Sequence, residues 1–287
     1  MPHPALSALL ASTMATFAAG PAVQSWLYQR NSLDVPNGRS LHTVSTPRGG
    51  GLACLAGAAA GVAVAQRAGQ KMSLDWTASS AVLGIVGRFD DNLGLRAAPR
   101  LAAQVVAGAG VGARSGGVKG ALVGVVVLPA IVNAFNFMDG INGISGGTAA
   151  AWGASVAASG RVGAQARMQG AVTAGMGLGF LPYNVPTASM FLGDVGSYLF
   201  GGGIAATVIQ SFFTGKRLDL NGAVDTLAPL IPYLADTGST IVKRAVRGES
   251  ITQAHREHAY QRIVQETGWP HWCVSSIIAL APVIHGA

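Results

Sequence analysis

Long apolar runs separated by short polar segments organise this chain from end to end. Windows of roughly 20 apolar residues can cross a hydrocarbon core of about 30 Å, and the pattern predicts about ten such helices. Their spans are 5 to 28, 50 to 66, 74 to 88, 99 to 113, 120 to 136, 144 to 160, 167 to 182, 196 to 214, 223 to 242 and 271 to 286. The third and fourth windows are short, which predicts little tilt, extension into the neighbouring loops or a thinned bilayer. No strand-like alternation covers enough of the chain for a barrel. The predicted fold class is all-α, a single polytopic transmembrane domain over residues 1–287. The stretch from Ala5 to Leu27 lacks the basic leader of a secretory signal and is followed by others like it, so it reads as the first membrane helix.

Composition points the same way. Half of the residues are hydrophobic, 11% are charged and 40 are glycine, as in close-packed membrane helices. Ten crossings would sort the 19 Lys and Arg into eleven on one side and eight on the other. By the positive-inside rule the first side is cytoplasmic, and every motif-bearing loop falls there. The expected location is a bacterial inner membrane, crossed many times, with the active site on the cytoplasmic face. The net charge of +7 comes from short loops without aromatic interleaving, which excludes nucleic acid and favours membrane lipids and phosphorylated substrates. Cys54 and Cys273 lie far apart in apolar segments and read as packing residues, not as a disulfide or zinc framework.

Against that background the acids stand out. Only 12 are present, and they include Phe-Asp-Asp at 89 to 91, Asn-Phe-Met-Asp-Gly at 136 to 140, Gly-Asp at 193 to 194, and Asp236, all at junctions between apolar runs. Carboxylates at a membrane edge are usually kept for chemistry. The adjacent Asp90 and Asp91 repel each other unless a cation compensates, which suits a metal ligand beside a proton acceptor. Capping, or pairing of Asp91 with Arg88, Arg96 or Arg100, is the plainer alternative. Asp139 has Asn136 and Asn142 on either side, with glycines that let a ligand approach the backbone; an Asx turn would explain the same residues. Asp194 opens an apolar run and reads either as an N-cap or as an oxygen ligand for Mg²⁺.

Two loops carry basic chemistry. Residues 36 to 51 combine Arg39, His42 and Arg48 with a glycine run that opens the next helix, where exposed N–H groups attract anions; close helix packing would also use those glycines. The last polar loop, about 243 to 271, holds His255, Arg256 and His258, which can converge on a phosphate. Zinc would need further ligands of the usual kind.

The order Pro-Arg-Gly-Gly-Gly, Asp-Asp, Asn-Phe-Met-Asp-Gly, Phe-Leu-Gly-Asp-Val-Gly-Ser and a terminal His-containing loop, from Pro36 to Gly268, resembles the polyprenyl-phosphate N-acetylhexosamine-1-phosphate transferases. Ala254-His-Arg-Glu-His-Ala-Tyr-Gln-Arg262 looks most like the O-antigen initiating members that use UDP-N-acetylfucosamine or UDP-N-acetylquinovosamine. The triple-histidine motif of the lipid I translocase is absent. Common-antigen and teichoic-acid types, which use UDP-N-acetylglucosamine, are the close alternatives.

The resemblance implies a Mg²⁺-dependent reaction, with Mn²⁺ as a substitute, between a UDP-N-acetylhexosamine and undecaprenyl phosphate. Asp194 matches the metal ligand, and Asp90 and Asp91 match the adjacent acidic pair, with Asp91 as a second ligand and one of the two as base. Arg48, Asn136, Asp139, Asn142 and Asn184 match substrate positions, and His255, Arg256 and His258 match the diphosphate loop. The lipid would lie in a groove near Asp90, and the small-residue faces are compatible with a homodimer. Asn142 departs from the family's usual Asp, and Arg88 stands where an apolar residue is expected. A proton-coupled or solute transporter is the reading from another class, but the chain shows no internal repeat and its acids gather at helix ends.

Overall fold

The computed structural model describes residues 3–36, 42–250 and 257–285. Among them are eleven α-helices: α1 (Pro4–Gln29), α2 (Gly51–Arg67), α3 (Leu74–Leu93), α4 (Ala97–Met138), α5 (Ile144–Ala158), α6 (Ala164–Asn184), α7 (Gly193–Ser211), α8 (Leu220–Leu227), α9 (Ile231–Val246), α10 (Ala259–Thr267) and α11 (His271–His285). A short antiparallel pair joins β1 (Leu33–Asp34) to β2 (Thr46–Pro47), and a second joins β3 (Phe213–Thr214) to β4 (Arg217–Leu218).

The all-α expectation holds, but the expectation of about ten membrane crossings does not. Among the described residues two helices, Pro4–Gln29 and Ala97–Met138, are long and apolar enough to cross a membrane. The other apolar windows became helices that are too short, such as α5 with 15 residues, or helices whose apolar surface is used inside the protein. In α7 every residue from Val195 to Ile209 is buried. A helix that is apolar all round can face lipid or be packed among neighbours, and window hydropathy does not separate the two. The multi-pass inner-membrane location and the cytoplasmic active-site face rested on those ten crossings and on the loop charges they sorted, so both assignments fall with the count.

Helix α7 is the central post, packed against α2, α3, α4, α6 and α8. Leu199, Phe200 and Ile204 are fully buried along it, each contributing roughly 1.5–3 kcal/mol relative to exposure in water. Its first turn approaches two neighbours at backbone distance. A Cβ on Gly51 would lie 2.2 Å from Gly196 Cα, and one on Gly87 would lie 2.2 Å from the Asp194 carbonyl oxygen. Only glycine permits either approach.

Helix α4 covers two of the sequence windows because the chain turns back at Gly116 and Gly117, the latter at φ 62°. Its two legs meet at glycines: a Cβ on Gly108 would lie 2.2 Å from the Gly124 carbonyl oxygen, and one on Gly112 would lie 2.0 Å from that of Gly120. Helix α3 begins where Ser73 accepts the N–H groups of Asp75 and Trp76. It runs to Leu93, past its predicted end, and stops at left-handed Gly94. That extension puts Asp90 and Asp91 on the last turns of a helix.

Candidate active site

Backbone hydrogen bonds stitch the glycine loop before α2 to the segment before α7. Phe191 N–H donates to Pro47 O at 2.8 Å, Gly49 and Gly50 donate to Phe191 O at 3.2 and 2.8 Å, and Gly51 donates to Leu192 O at 2.8 Å. Gly193 makes the turn into α7 at φ 74°, with Asp91 Oδ2 and Gly49 N each 2.8 Å from where a Cβ would stand. Two sequence motifs about 145 residues apart are thereby held side by side.

That stitch delivers Arg48 to the acids. Its Nε lies 2.9 Å from Asp91 Oδ1 and its Nη2 lies 3.0 Å from Asp194 Oδ1. Asp91 also accepts the backbone N–H of Asp194 on Oδ1 at 2.9 Å and that of Val195 on Oδ2 at 3.0 Å. It therefore caps α7 from a neighbouring helix, satisfying donors that the first turn leaves open. Asn136, near the end of α4, donates its amide to Asp194 Oδ1 at 2.8 Å. Asp90 faces elsewhere: it accepts from Arg100 at 2.8 Å, from Tyr198 OH at 3.0 Å and from Leu95 N–H at 2.8 Å. The side chains of Asp91, Asp90 and Asp194 are 1%, 4% and 15% exposed, so Asp194 is the member of the cluster most open to a ligand.

The electrostatics follow from this crowding. Burial, then the nearby Asp194 charge, pushes Asp91 up to about 6, against the pull of Arg48 and the two N–H groups. Burial also raises Asp194, while Arg48 opposes the shift. For Arg48 burial works against the charge, yet Asp194, Asp91 and Asp34 together raise its pKa. Burial pushes Asp139 up to about 7.

Among the described residues no three His, Cys, Asp or Glu side chains group as a metal site. Mg²⁺ asks for less, one or two carboxylates plus phosphate oxygens. The Arg48 guanidinium already sits between Asp91 and Asp194 as a cation, so the hard-oxygen donor set and its charge fit a divalent ion. Both Asp91 oxygens are committed to N–H donors, which leaves Asp194 the better ligand of the two.

The other candidates divide. Asp139 ends α4 as its C-cap residue. Asn184 clasps the backbone, accepting from Gly143 N–H at 2.6 Å and donating to Met190 O at 3.0 Å. Asn142 donates to Pro186 O at 3.2 Å. These amides hold together the α4–α5 and α6–α7 connections beside the acids. His258 lies against Asp236, with Nδ1 3.3 Å from Oδ1. Asp236 also accepts Ala259 N–H at 3.0 Å and Tyr260 N–H at 3.4 Å. Tyr260 OH reaches Phe137 O at 3.3 Å, fastening α10 under the Asn136–Asp139 turn. His255 and Arg256 lie outside the described residues.

Sequence reasoning had no role for Tyr198 and set Arg100 against Asp91, whereas its partner is Asp90. The spacing contains the clue: Asp90 and Asp91 are about 100° apart around a helix, so they cannot serve the same partners. Arg100 also borders an apolar recess of about 430 Å³ between α4 and α9, lined by Leu101, Pro129, Phe137, Leu234 and Ile241 among others.

Residues 74–212, which run from α3 through α7 and carry both acid positions, match the model of glycosyl transferase family 4. Over 96% of its length the chain is 30% identical to the decaprenyl-phosphate N-acetylglucosaminephosphotransferase of Mycobacterium tuberculosis, covering 79% of that protein. It is 24% identical to the probable undecaprenyl-phosphate N-acetylglucosaminyl 1-phosphate transferase of Bacillus subtilis, over 90% of the chain and 76% of the relative. It is 31% identical to the phospho-N-acetylmuramoyl-pentapeptide-transferase of Desulforudis audaxviator, over 80% and 84%. With that identity sustained over nearly the whole chain, the protein belongs to glycosyl transferase family 4.

Proposed function

We propose that the protein transfers N-acetylhexosamine-1-phosphate from a UDP-sugar to a polyprenyl phosphate, releasing UMP and initiating a surface polysaccharide. The reading is carried by one observation: Asp91 and Asp194 lie on the segment that matches the family, with Asn136 beside them and Arg48, from outside that segment, brought between them. Family membership sets the transporter reading aside.

In the reaction an oxygen of the lipid phosphate attacks the β-phosphorus of the UDP-sugar. The bond from the β-phosphorus to the bridging oxygen breaks, and that oxygen leaves on UMP. A phosphate monoester is already largely ionised at neutral pH, so the protein need not supply a strong base. Asp90, held by three donors, is better suited to fix Arg100 at the mouth of the apolar recess, where the guanidinium would receive the lipid phosphate and the recess the start of its chain. Asp194 would hold Mg²⁺, which when bound with the nucleotide supplies charge neutralisation to the diphosphate. Asp91 holds the α7 first turn, and so Asp194, in position. Arg48 would turn from the carboxylates to the diphosphate, and Asn136 would orient Asp194. These contributions are positioning and electrostatic stabilisation.

The M. tuberculosis and B. subtilis relatives are named for N-acetylglucosamine, which makes UDP-N-acetylglucosamine the first donor to test. The segment from Ala254 to Arg262 supports UDP-N-acetylfucosamine and UDP-N-acetylquinovosamine as the second pair. A donor labelled in its β-phosphate separates the reaction types: label moving to the lipid phase with one of these sugars is expected. Label that stays in water while the sugar moves would rule out phosphosugar transfer.

A further inference from the structure

A second recess adjoins the acidic cluster and, apart from the shared Arg48 and Asp91, takes no part in the reading above. It has a volume of about 410 Å³, and its lining includes Trp26 and Arg30 from the end of the α1 region, Ser32, Arg48, and Arg88 from α3. Arg48 and Asp91 belong to both recess and cluster, whereas Asp194 and Asn136 are not part of its wall.

Its charge is unusual. Three guanidiniums and two carboxylates, Asp34 and Asp91, line it, and Asp91 is already engaged by Arg48 and the α7 N–H groups. Among the described residues neither Arg30 nor Arg88 has a carboxylate within ion-pair distance. Both instead sit over the Trp26 ring, with Cζ 5.7 and 5.0 Å from its centroid, and Arg88 reaches Ser32 Oγ at 3.3 Å. Two cations on one indole repel each other, and cation–π contact at partly exposed sites contributes only about 0.5–1 kcal/mol. A doubly charged anion between them would relieve that repulsion with charge-assisted hydrogen bonds.

We infer that this recess is a phosphate-binding site, separate from the nucleotide and lipid positions, formed by Arg30, Arg88 and Ser32 against Trp26. Arg48, on the wall shared with the acidic cluster, gains an alternative partner when an anion is bound there. The same phosphate chemistry is offered by free phosphate and by the headgroup of a phosphomonoester lipid.

The test follows tryptophan emission of the purified chain without nucleotide or Mg²⁺, taking the part of the signal lost in Trp26→Phe as that of Trp26 among the five tryptophans, so its outcome is independent of transferase activity. One arm titrates inorganic phosphate; the other adds phosphatidylcholine vesicles with and without phosphatidic acid. A saturable change is expected in at least one arm, lost in Trp26→Phe and weakened about tenfold in Arg30→Gln/Arg88→Gln. A response to phosphate identifies a soluble ligand, and one confined to phosphatidic acid identifies a lipid. Because Arg30 is exposed, Arg30→Gln alone keeps the fold and is expected to weaken binding severalfold should the double variant not fold. No response in either arm, or equal affinity in the arginine variants, would overturn the assignment.

Discussion

The carboxylate of Asp91 on α3 accepts the backbone N–H of Asp194 at 2.9 Å, so one acid of the cluster fixes the helix turn that presents the other. The relationship divides the acids by task. Asp91 is nearly inaccessible and holds α7, while Asp194 is the carboxylate left to meet a ligand.

Asp91→Asn tests that division. The amide cannot accept on both atoms, so one α7 donor loses its partner and Arg48 loses a counter-charge. Arg48 is 39% exposed and keeps Asp194, so the main loss is one buried N–H left without an acceptor, about 1–3 kcal/mol, and thermal unfolding should move down by a few degrees along with the loss of UMP release. Lost activity with unchanged melting would instead indicate that Asp91 acts on substrate directly.

Gly87→Ala reaches the same turn without touching a charge. The new methyl would lie 2.2 Å from the Asp194 carbonyl oxygen, forcing α3 and α7 apart. A displacement near 1 Å can cost about 100-fold in rate, and the variant is expected to remain helical by circular dichroism while losing activity on that scale. Full activity would mean that the approach of these helices is not what positions Asp194.

The motif residues in this cluster were legible in the sequence, and their division of labour was not. Asp90 and Asp91 read as one pair, because adjacency in sequence says nothing about the rotation that turns one toward Arg100 and the other toward α7. Arg48 was visible as part of a phosphate-type loop, but its place between two carboxylates depends on backbone bonds to Phe191 that no local pattern announces. The apolar windows located α1, α2, α5, α6 and α11 closely. As membrane crossings they failed where a helix is too short, such as α5, or apolar because other helices bury it, such as α7, and as helix boundaries at 223 to 242, where α8 and α9 are separate.

Arg100→Gln separates the two substrates. Asp90 keeps Tyr198 and the Leu95 N–H, so the fold should persist. With the guanidinium gone from the mouth of the recess, KM for the polyprenyl phosphate is expected to rise about tenfold with KM for the UDP-sugar unchanged. An equal rise for both would count against a lipid-phosphate role for Arg100.

Asp139 gives the pH dependence. Its folded pKa, near 7, lies above its unfolded value, so the folded state binds the extra proton and this group's contribution to stability falls as pH rises from about 4 to 7. Asp139→Asn removes the titration. Its melting temperature relative to the parent should increase across that window in nucleotide-free protein, and a difference independent of pH would show that Asp139 ionises normally.

UMP release by the purified protein, supplied with undecaprenyl phosphate, Mg²⁺ and the UDP-N-acetylhexosamine panel, is the most direct measurement, made on the parent chain and on Asp194→Asn. Release by the parent that is abolished both by EDTA and by the substitution is the expected result. Release by Asp194→Asn at the parental rate, or none by folded parent protein with any donor, would contradict the proposed transferase site.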